Sequence, residues 1–490
     1  MAIQSAPKHD PSVRAASIGK RVYDVAVIGC DVGGAAAAAL IARRGLRVLM
    51  APLCMPSVAR ESEGWLLPVA HPVVPPLRQL SGATSALDEL GLGQDLQRQA
   101  APSAGAFQLL GDKLRLSLPA DLARRREELR RELPESEAHQ AEAELDSLEL
   151  LGRPWDPFLI SAPPYPARGF FERRKLRQLV PTPPELPTGL VGEALAAVAP
   201  FAASLVGDTA PEATAREAAA LLRAPLRLWG GQAQIADLLR KKALEAGADL
   251  FPDACSALRL DRKGVSFFLG GSEVHVSAVV IACSGATLAK ICEGGGRAER
   301  KLAEEAQLPV ARKVVLAHFV VRGEGLPLAL EEAALLLGHT AGPLVLSALP
   351  ARRSRLHPGA GDGRKPDARS IDEGSEKLLT VARVVPFSDS DGDGLLALAR
   401  AALEPVLPFF DRHILHQAAD LDSPQAHPLF APREDGEPVG LRPISETHER
   451  ALFASSAAYP GFGLEGAFVA ARACADQALA LSGRRTVTAT

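Results

Sequence analysis

Gly29, Gly33 and Gly34 bracket one carboxylate, Asp31, in the stretch YDVAVIGCDVGGAAAAALIARRGLRVLMAP, Tyr23 to Pro52. Glycines let backbone N–H groups come close to a phosphate, and a helix N-terminus adds a dipole that favours negative charge. The chemistry of such a turn is anion binding, usually of a dinucleotide pyrophosphate. The elements that must position it are readable on either side. Val25 to Ile28 is a short apolar run, an Ala-rich helix is expected from about Gly34 to Arg44, and Arg47 to Met50 reads as a second strand. Together they form a β–turn–α–β unit of about 30 residues, the signature of a parallel-sheet dinucleotide fold.

Two positions depart from that signature. The pattern G-x-G-x-x-G would place glycines at 29, 31 and 34, but position 31 is Asp31. The second strand should end in an acid that accepts hydrogen bonds from ribose hydroxyls. Pro52 stands there, with neither a carboxylate nor a backbone N–H. The unit can therefore be a plain βαβ core or a retained cofactor site, and both readings stay open at this point.

A second anion-binding geometry closes the chain. Pro460-Gly461-Phe462-Gly463-Leu464-Glu465-Gly466 lies between a strand and a long helix in ALFASSAAYPGFGLEGAFVAARACADQALAL. It again puts backbone N–H groups at a helix start. A central block contains Gly230-Gly231, then an amphipathic helix with Ile235, Leu238, Leu239 and Leu244, ended by Gly247. Strands are expected at 257–260, 265–269 and 274–282, with Gly270-Gly271 as the hairpin turn and the apolar AVVIAC end buried on both faces. Asp389-x-Asp391-x-Asp393-Gly394 imitates a calcium loop, but its twelfth position is Arg400 where a bidentate Glu is needed. Acidic residues at a helix N-terminus explain it better.

With 490 residues, the chain can build two or three domains around a large core. Its net charge of −3 argues against nucleic acid as a partner. The six cysteines include no C-x-x-C pair and read as reduced thiols of a cytoplasmic protein, with no metal site. No run reaches 18 apolar residues, so no transmembrane helix is expected. Residues 1–20 read as a flexible tail without a signal-peptide core. A helix is expected from Ser81, capped by that residue and stopped at Gly93, and a strand pair over 106–118. Charged helices run from Asp121 to Leu151, broken at Pro134, and Ala-rich ones from Gly189 to Leu222. Between them, RGFFERRKLRQLV (Arg168 to Val180) reads as a partly buried helix with solvated arginines, or as a membrane-surface helix. Residues 352–377 read as an exposed loop.

Taken in order, the N-terminal βαβ, the central Gly-Gly–helix–strands block and the C-terminal P-G-x-G-x-x-G-A helix resemble the phytoene desaturase and flavin amine oxidase superfamily. The resemblance covers nearly the whole chain. It implies an α/β fold: a Rossmann-like FAD/NAD(P)-binding domain interleaved in sequence with a mixed α+β substrate domain. The first would come from residues 21–104, 225–300 and 441–484, the second from 105–224 and 301–440. It implies FAD as the cofactor, held near Gly29, Asp31, Gly33, Gly34, Arg60, Cys255, Gly461, Gly463 and Gly466. The flavin does the hydride chemistry in such proteins, so no catalytic residue is assigned.

The resemblance is uneven along the motifs. Arg60 matches the arginine of the Gly-Gly-Arg motif, while its two glycines are Val58 and Ala59. Gly64 and Trp65 match Gly-Phe-x-x-Asp-x-Gly, while the Asp is Pro68 and the last Gly is Ala70. Cys255 stands where a Val backbone would meet the adenine, and Ser455 replaces a strand-ending Gly. A carboxylate at position 31, about 4–5 Å from a pyrophosphate charge, would cost on the order of 3–4 kcal/mol at an effective dielectric near 20. The expectation is a degenerate member with weak or lost FAD binding, taking an apolar ligand or a protein partner. Rab GDP-dissociation inhibitors, which resemble this fold and bind isoprenylated partners, are the precedent. The alternative is an active FAD-dependent desaturase or oxidase on an apolar substrate, such as a carotenoid precursor or an amine. Localisation is expected to be cytoplasmic, with peripheral membrane contact left open.

Overall fold

The computed structural model describes residues 22–29, 31–53, 57–100, 107–180, 185–203, 211–340, 342–354, 376–421, 428–430 and 439–483. The tail expected over 1–20 lies outside them, as do Cys30 and Cys54.

Short, wholly apolar segments build the first sheet. Val25–Ile28 pairs in parallel with Val48–Ala51 on one side and Ala278–Ile281 on the other. Ala451–Phe453 extends one edge and Asp249–Leu250 the other, giving five parallel strands in the order 451–453, 278–281, 25–28, 48–51, 249–250. All four residues of each of the three central strands are buried. Strands covered on both faces need such continuous apolar runs. The helix Val32–Arg43 lies on this sheet between the helices Gly231–Glu245 and Gly463–Leu481, and every residue from Val32 to Ala42 is buried. Its run of alanines leaves room for that close helix packing.

An eight-stranded sheet forms the second layer system. The strands run 414–420, 310–322, 376–386, 344–350, 333–336, 107–111 and 114–118, with 428–430 also on 310–322. Helices 122–132, 135–152, 189–203 and 211–223 cover one face, and Gly392–Leu403 with Phe410 covers the other. The α/β class and the pairing of one parallel sheet with one large mixed sheet agree with the sequence reading.

Several local readings are corrected. The first helix starts at Val32 because Asp31 caps it. The helix Ser81–Leu90 starts without a side-chain cap, Ser81 donating instead to Asp156, and it stops at Gly91 in the left-handed conformation. The strand expected over 274–282 is two strands: Ser272–Val276 belongs to a three-stranded antiparallel sheet and Ala278–Ile281 to the parallel one. The loop expected over 352–377 does not hold at either of its ends. Arg352–Arg353 pairs with Leu66 and Trp65, and Glu376–Pro386 is a strand; residues 355–375 lie outside the described residues. Asp391 caps the helix Gly392–Leu403, its Oδ1 accepting from Gly394 N at 2.8 Å, as acids at a helix start should.

Candidate functional site

The strand ends of the parallel sheet meet two helix N-termini, and the glycines between them are forced by backbone contact. Gly29 has φ +96°, and a Cβ there would lie 2.1 Å from the Ala282 carbonyl oxygen. A Cβ at Gly33 would lie 2.1 Å from the Ala454 carbonyl oxygen, and one at Gly34 would lie 2.5 Å from Ala282 Cβ. Glycine is needed at these positions to pack the helix onto its neighbouring strands, whatever the turn binds.

Asp31 occupies the helix N-terminus. Its Oδ1 accepts from Gly34 N at 2.8 Å. Burial in the cleft pushes the carboxyl up to about 7, against the lowering effect of the Gly34 and Gly33 backbone N–H groups. The residue is exposed at the surface of that cleft, so water tempers the shift without reversing its direction. Cys283 sits beside the same turn: burial raises its thiol to about 12, and the Asp31 charge adds to the effect. Cys255 opens the strand Cys255–Asp261 and is buried, its thiol also raised by burial to about 12. These are protonated, unreactive thiols.

Arg60 is committed elsewhere. Its Nη2 donates to the Ala419 carbonyl at 2.7 Å and its Nε lies 3.4 Å from Asp420 Oδ2. Val58 packs against Gly230, where an added Cβ would lie 2.1 Å from Val58 Cγ1. Gly231 in turn lies against the backbone of Ala70 and His71.

The C-terminal turn is equally covered. Gly461 has φ +91°, Gly463 has φ +40°, and a Cβ at Gly463 would lie 1.8 Å from the Ala202 carbonyl oxygen. Gly466 packs against Tyr459 and Phe462. Those two rings join Trp155, Phe158 and Tyr165 in one buried cluster, with Tyr165 and Tyr459 stacked at 6.0 Å and Trp155 edge-on to Phe462 at 5.0 Å. Beside that helix start lies Glu217, wholly buried. Burial, and then the Glu465 charge, hold its carboxyl well above the usual range. Glu465 itself is paired with Arg216.

The sequence reading missed the polar groups behind the first turn. His71 is half-buried and His318 buried, and desolvation pulls them down to about 4 and about 3. His71 Nδ1 accepts from Val73 N at 3.2 Å, and His318 Nδ1 lies 3.1 Å from Thr380 Oγ1. A cavity of about 60 Å3 lies beside His71, lined also by Val69, Ala70, Phe201, Leu464 and Asp420 among others. No spacing in the sequence links these residues, which come together only when 69–75 crosses the large sheet. Among the described residues, no group of three or more His, Cys, Asp or Glu side chains is placed to hold a metal ion.

No protein-family model matches the sequence, and neither does any curated protein. Solved structures do match in fold. A putrescine oxidase structure bound to putrescine is 14% identical, covering 94% of this chain and 99% of that one, with a TM-score of 0.54. An oxidoreductase from Methanosarcina mazei is 11% identical over 92% and 100% of the chains, with a TM-score of 0.56. The cyclohexylamine oxidase of Brevibacterium oxydans IH-35A is 16% identical over 94% and 99%, with a TM-score of 0.51. Over nearly its whole length, this chain shares the fold of these solved oxidoreductase structures.

Proposed function

We propose that the chain keeps this oxidoreductase fold around a degenerate FAD site and acts as a weakly catalytic or non-catalytic protein that binds an apolar ligand or a protein partner. One observation carries the reading: Asp31 Oδ1 accepts the Gly34 N–H that a pyrophosphate oxygen would need. The residues present do not fit FAD as they stand. A carboxylate already neutralises the helix end, Pro52 offers no ribose acceptor, and Val58 fills the space against Gly230. Arg60, the cation of the motif, is held by Ala419 and Asp420. The mostly apolar cavity beside His71, about 60 Å3, supports an apolar ligand only if the surrounding walls open, since pockets for such ligands usually measure about 300–1,000 Å3.

The test is the visible spectrum after purification with excess FAD. We expect little or no band near 450 nm, roughly where bound oxidised flavin absorbs. Asp31→Gly with Pro52→Glu should then recover binding by on the order of tenfold or more, since each 1.4 kcal/mol is about a factor of ten. A stoichiometric band in the unmodified protein would overturn the reading.

A second reading, an FAD-dependent oxidoreductase on an apolar substrate, draws on the raised Asp31 carboxyl. At about 7, a fraction of it is protonated near neutral pH, which weakens the repulsion. The same spectrum decides between the two.

A further inference from the structure

The helix Gly169–Leu179 rests on the protein by one narrow side. Glu172, Leu176 and Leu179 are half-buried along that side. Glu172 accepts from Arg168 N and from Arg442 Nη2, both at 2.6 Å, and the two leucines pack against the core that contains Phe158 and Tyr165. No residue of the helix is buried.

The outer side carries two kinds of group. Phe170 and Phe171 are 69% and 82% exposed, their rings edge-on at 5.7 Å. Arg173, Arg174, Lys175 and Arg177 follow on exposed positions, four cations within five residues. The whole chain has a net charge of −3, so this concentration is local. Adjacent large aromatics held in water by an anchored helix are an unfavourable arrangement unless something covers them.

We infer that this face docks onto an anionic lipid bilayer. The phenylalanines form an apolar block that enters the boundary between headgroups and acyl chains, while the long Arg and Lys stems reach headgroup phosphates. Each cation near an anionic surface strengthens partitioning by about fivefold. An edge-on ring pair suits insertion better than nucleic-acid binding, which wants an open ring face for a base. No helix among the described residues is long and apolar enough to cross a membrane, so contact of this kind is peripheral. The inference is independent of whether FAD binds.

Co-sedimentation of the full chain with vesicles tests it. Binding is expected to vesicles of equal parts phosphatidylcholine and phosphatidylglycerol, to weaken steeply with salt, and to be absent with phosphatidylcholine alone. Phe170→Ser with Phe171→Ser should lower partitioning by about tenfold or more, and Arg174→Gln with Arg177→Gln by about 25-fold. Both pairs are exposed, so thermal unfolding of the variants should match the parent. No binding to the anionic vesicles overturns the inference. So does binding that is indifferent to the phenylalanines, or tighter binding of the same patch to polyuridylate or polyglutamate than to vesicles.

Discussion

Glu465 is wholly buried with Arg216 laid side-on against it, Nε to Oε2 at 2.6 Å and Nη2 to Oε1 at 3.0 Å. Gly82 N donates to the same carboxylate at 2.7 Å, and Asp156 lies 2.8 Å from Arg216 Nη2. The pair thus ties four helices together at one point. Glu465→Ala leaves the guanidinium buried without its main partner, and should cost about 3–5 kcal/mol. Arg216→Met with Glu465→Leu removes both charges and should recover most of that loss. Urea denaturation of the three proteins checks both expectations.

His318 and His71 should make the fold sensitive to acid. Their folded values, about 3 and about 4, lie below the ordinary 6.5. The unfolded chain therefore binds more protons in that window, so stability is full above 6.5 and is lost as pH falls towards 4. His318→Asn keeps a group to meet Thr380 and removes the titration. The urea midpoint of this variant should fall less between about pH 7 and pH 5 than that of the parent.

Asp31 should act in the opposite direction. Its folded value is raised from 3.8 to about 7, so the folded chain holds the extra proton between the two. Its contribution is full below 3.8 and is lost as pH rises through 7. Asp31→Asn keeps an acceptor for Gly34 N without the charge, and its advantage over the parent should grow from about pH 5 to pH 8. Any residual FAD affinity of the parent should rise as the solution is acidified over the same range. An affinity flat across it would separate Asp31 from the anion site.

Gly33→Ala should be among the most damaging single changes. The new methyl would meet the Ala454 carbonyl at 2.1 Å, a backbone atom that no rotamer change can move. A loss on the order of 3 kcal/mol or more is expected. Gly45→Ala is the control, since Gly45 has φ +86° but nothing within 4 Å of its added Cβ. It should cost only about 1–2 kcal/mol, the left-handed strain alone. Thermal unfolding of both variants checks the contrast.

The sequence reading went furthest where a rule is local. Val25–Ile28, Ala278–Ile281 and Ala451–Phe453 were readable as continuous apolar runs, and the glycines at 29, 33 and 34 as a turn. The break at Ser277 was not readable, because one residue redirects the chain between sheets without any turn chemistry. Asp249–Leu250 is too short to carry a period. Glu217 and Arg216 stand in an Ala-rich helix where charges usually face water, and packing against the helices 135–152, 189–203 and 463–481 together buries them. His71, His318 and Asp420 come from three distant segments, and no spacing announces their meeting.

The three glycines of the first turn have a mechanical consequence. Gly29 and Gly34 notch the helix against Ala282, and Gly33 notches it against Ala454, each at a distance that leaves no slack. Sliding or rolling the helix Val32–Arg43 would drive Gly33 into the Ala454 carbonyl and Gly34 into the Ala282 methyl, at two strand ends at once. The strand ends and the helix start therefore move as one piece, a fixed bearing surface. Any breathing that admits a ligand to the cleft has to come from the opposite wall, where Val58, Ala70 and His71 rest on Gly230 and Gly231.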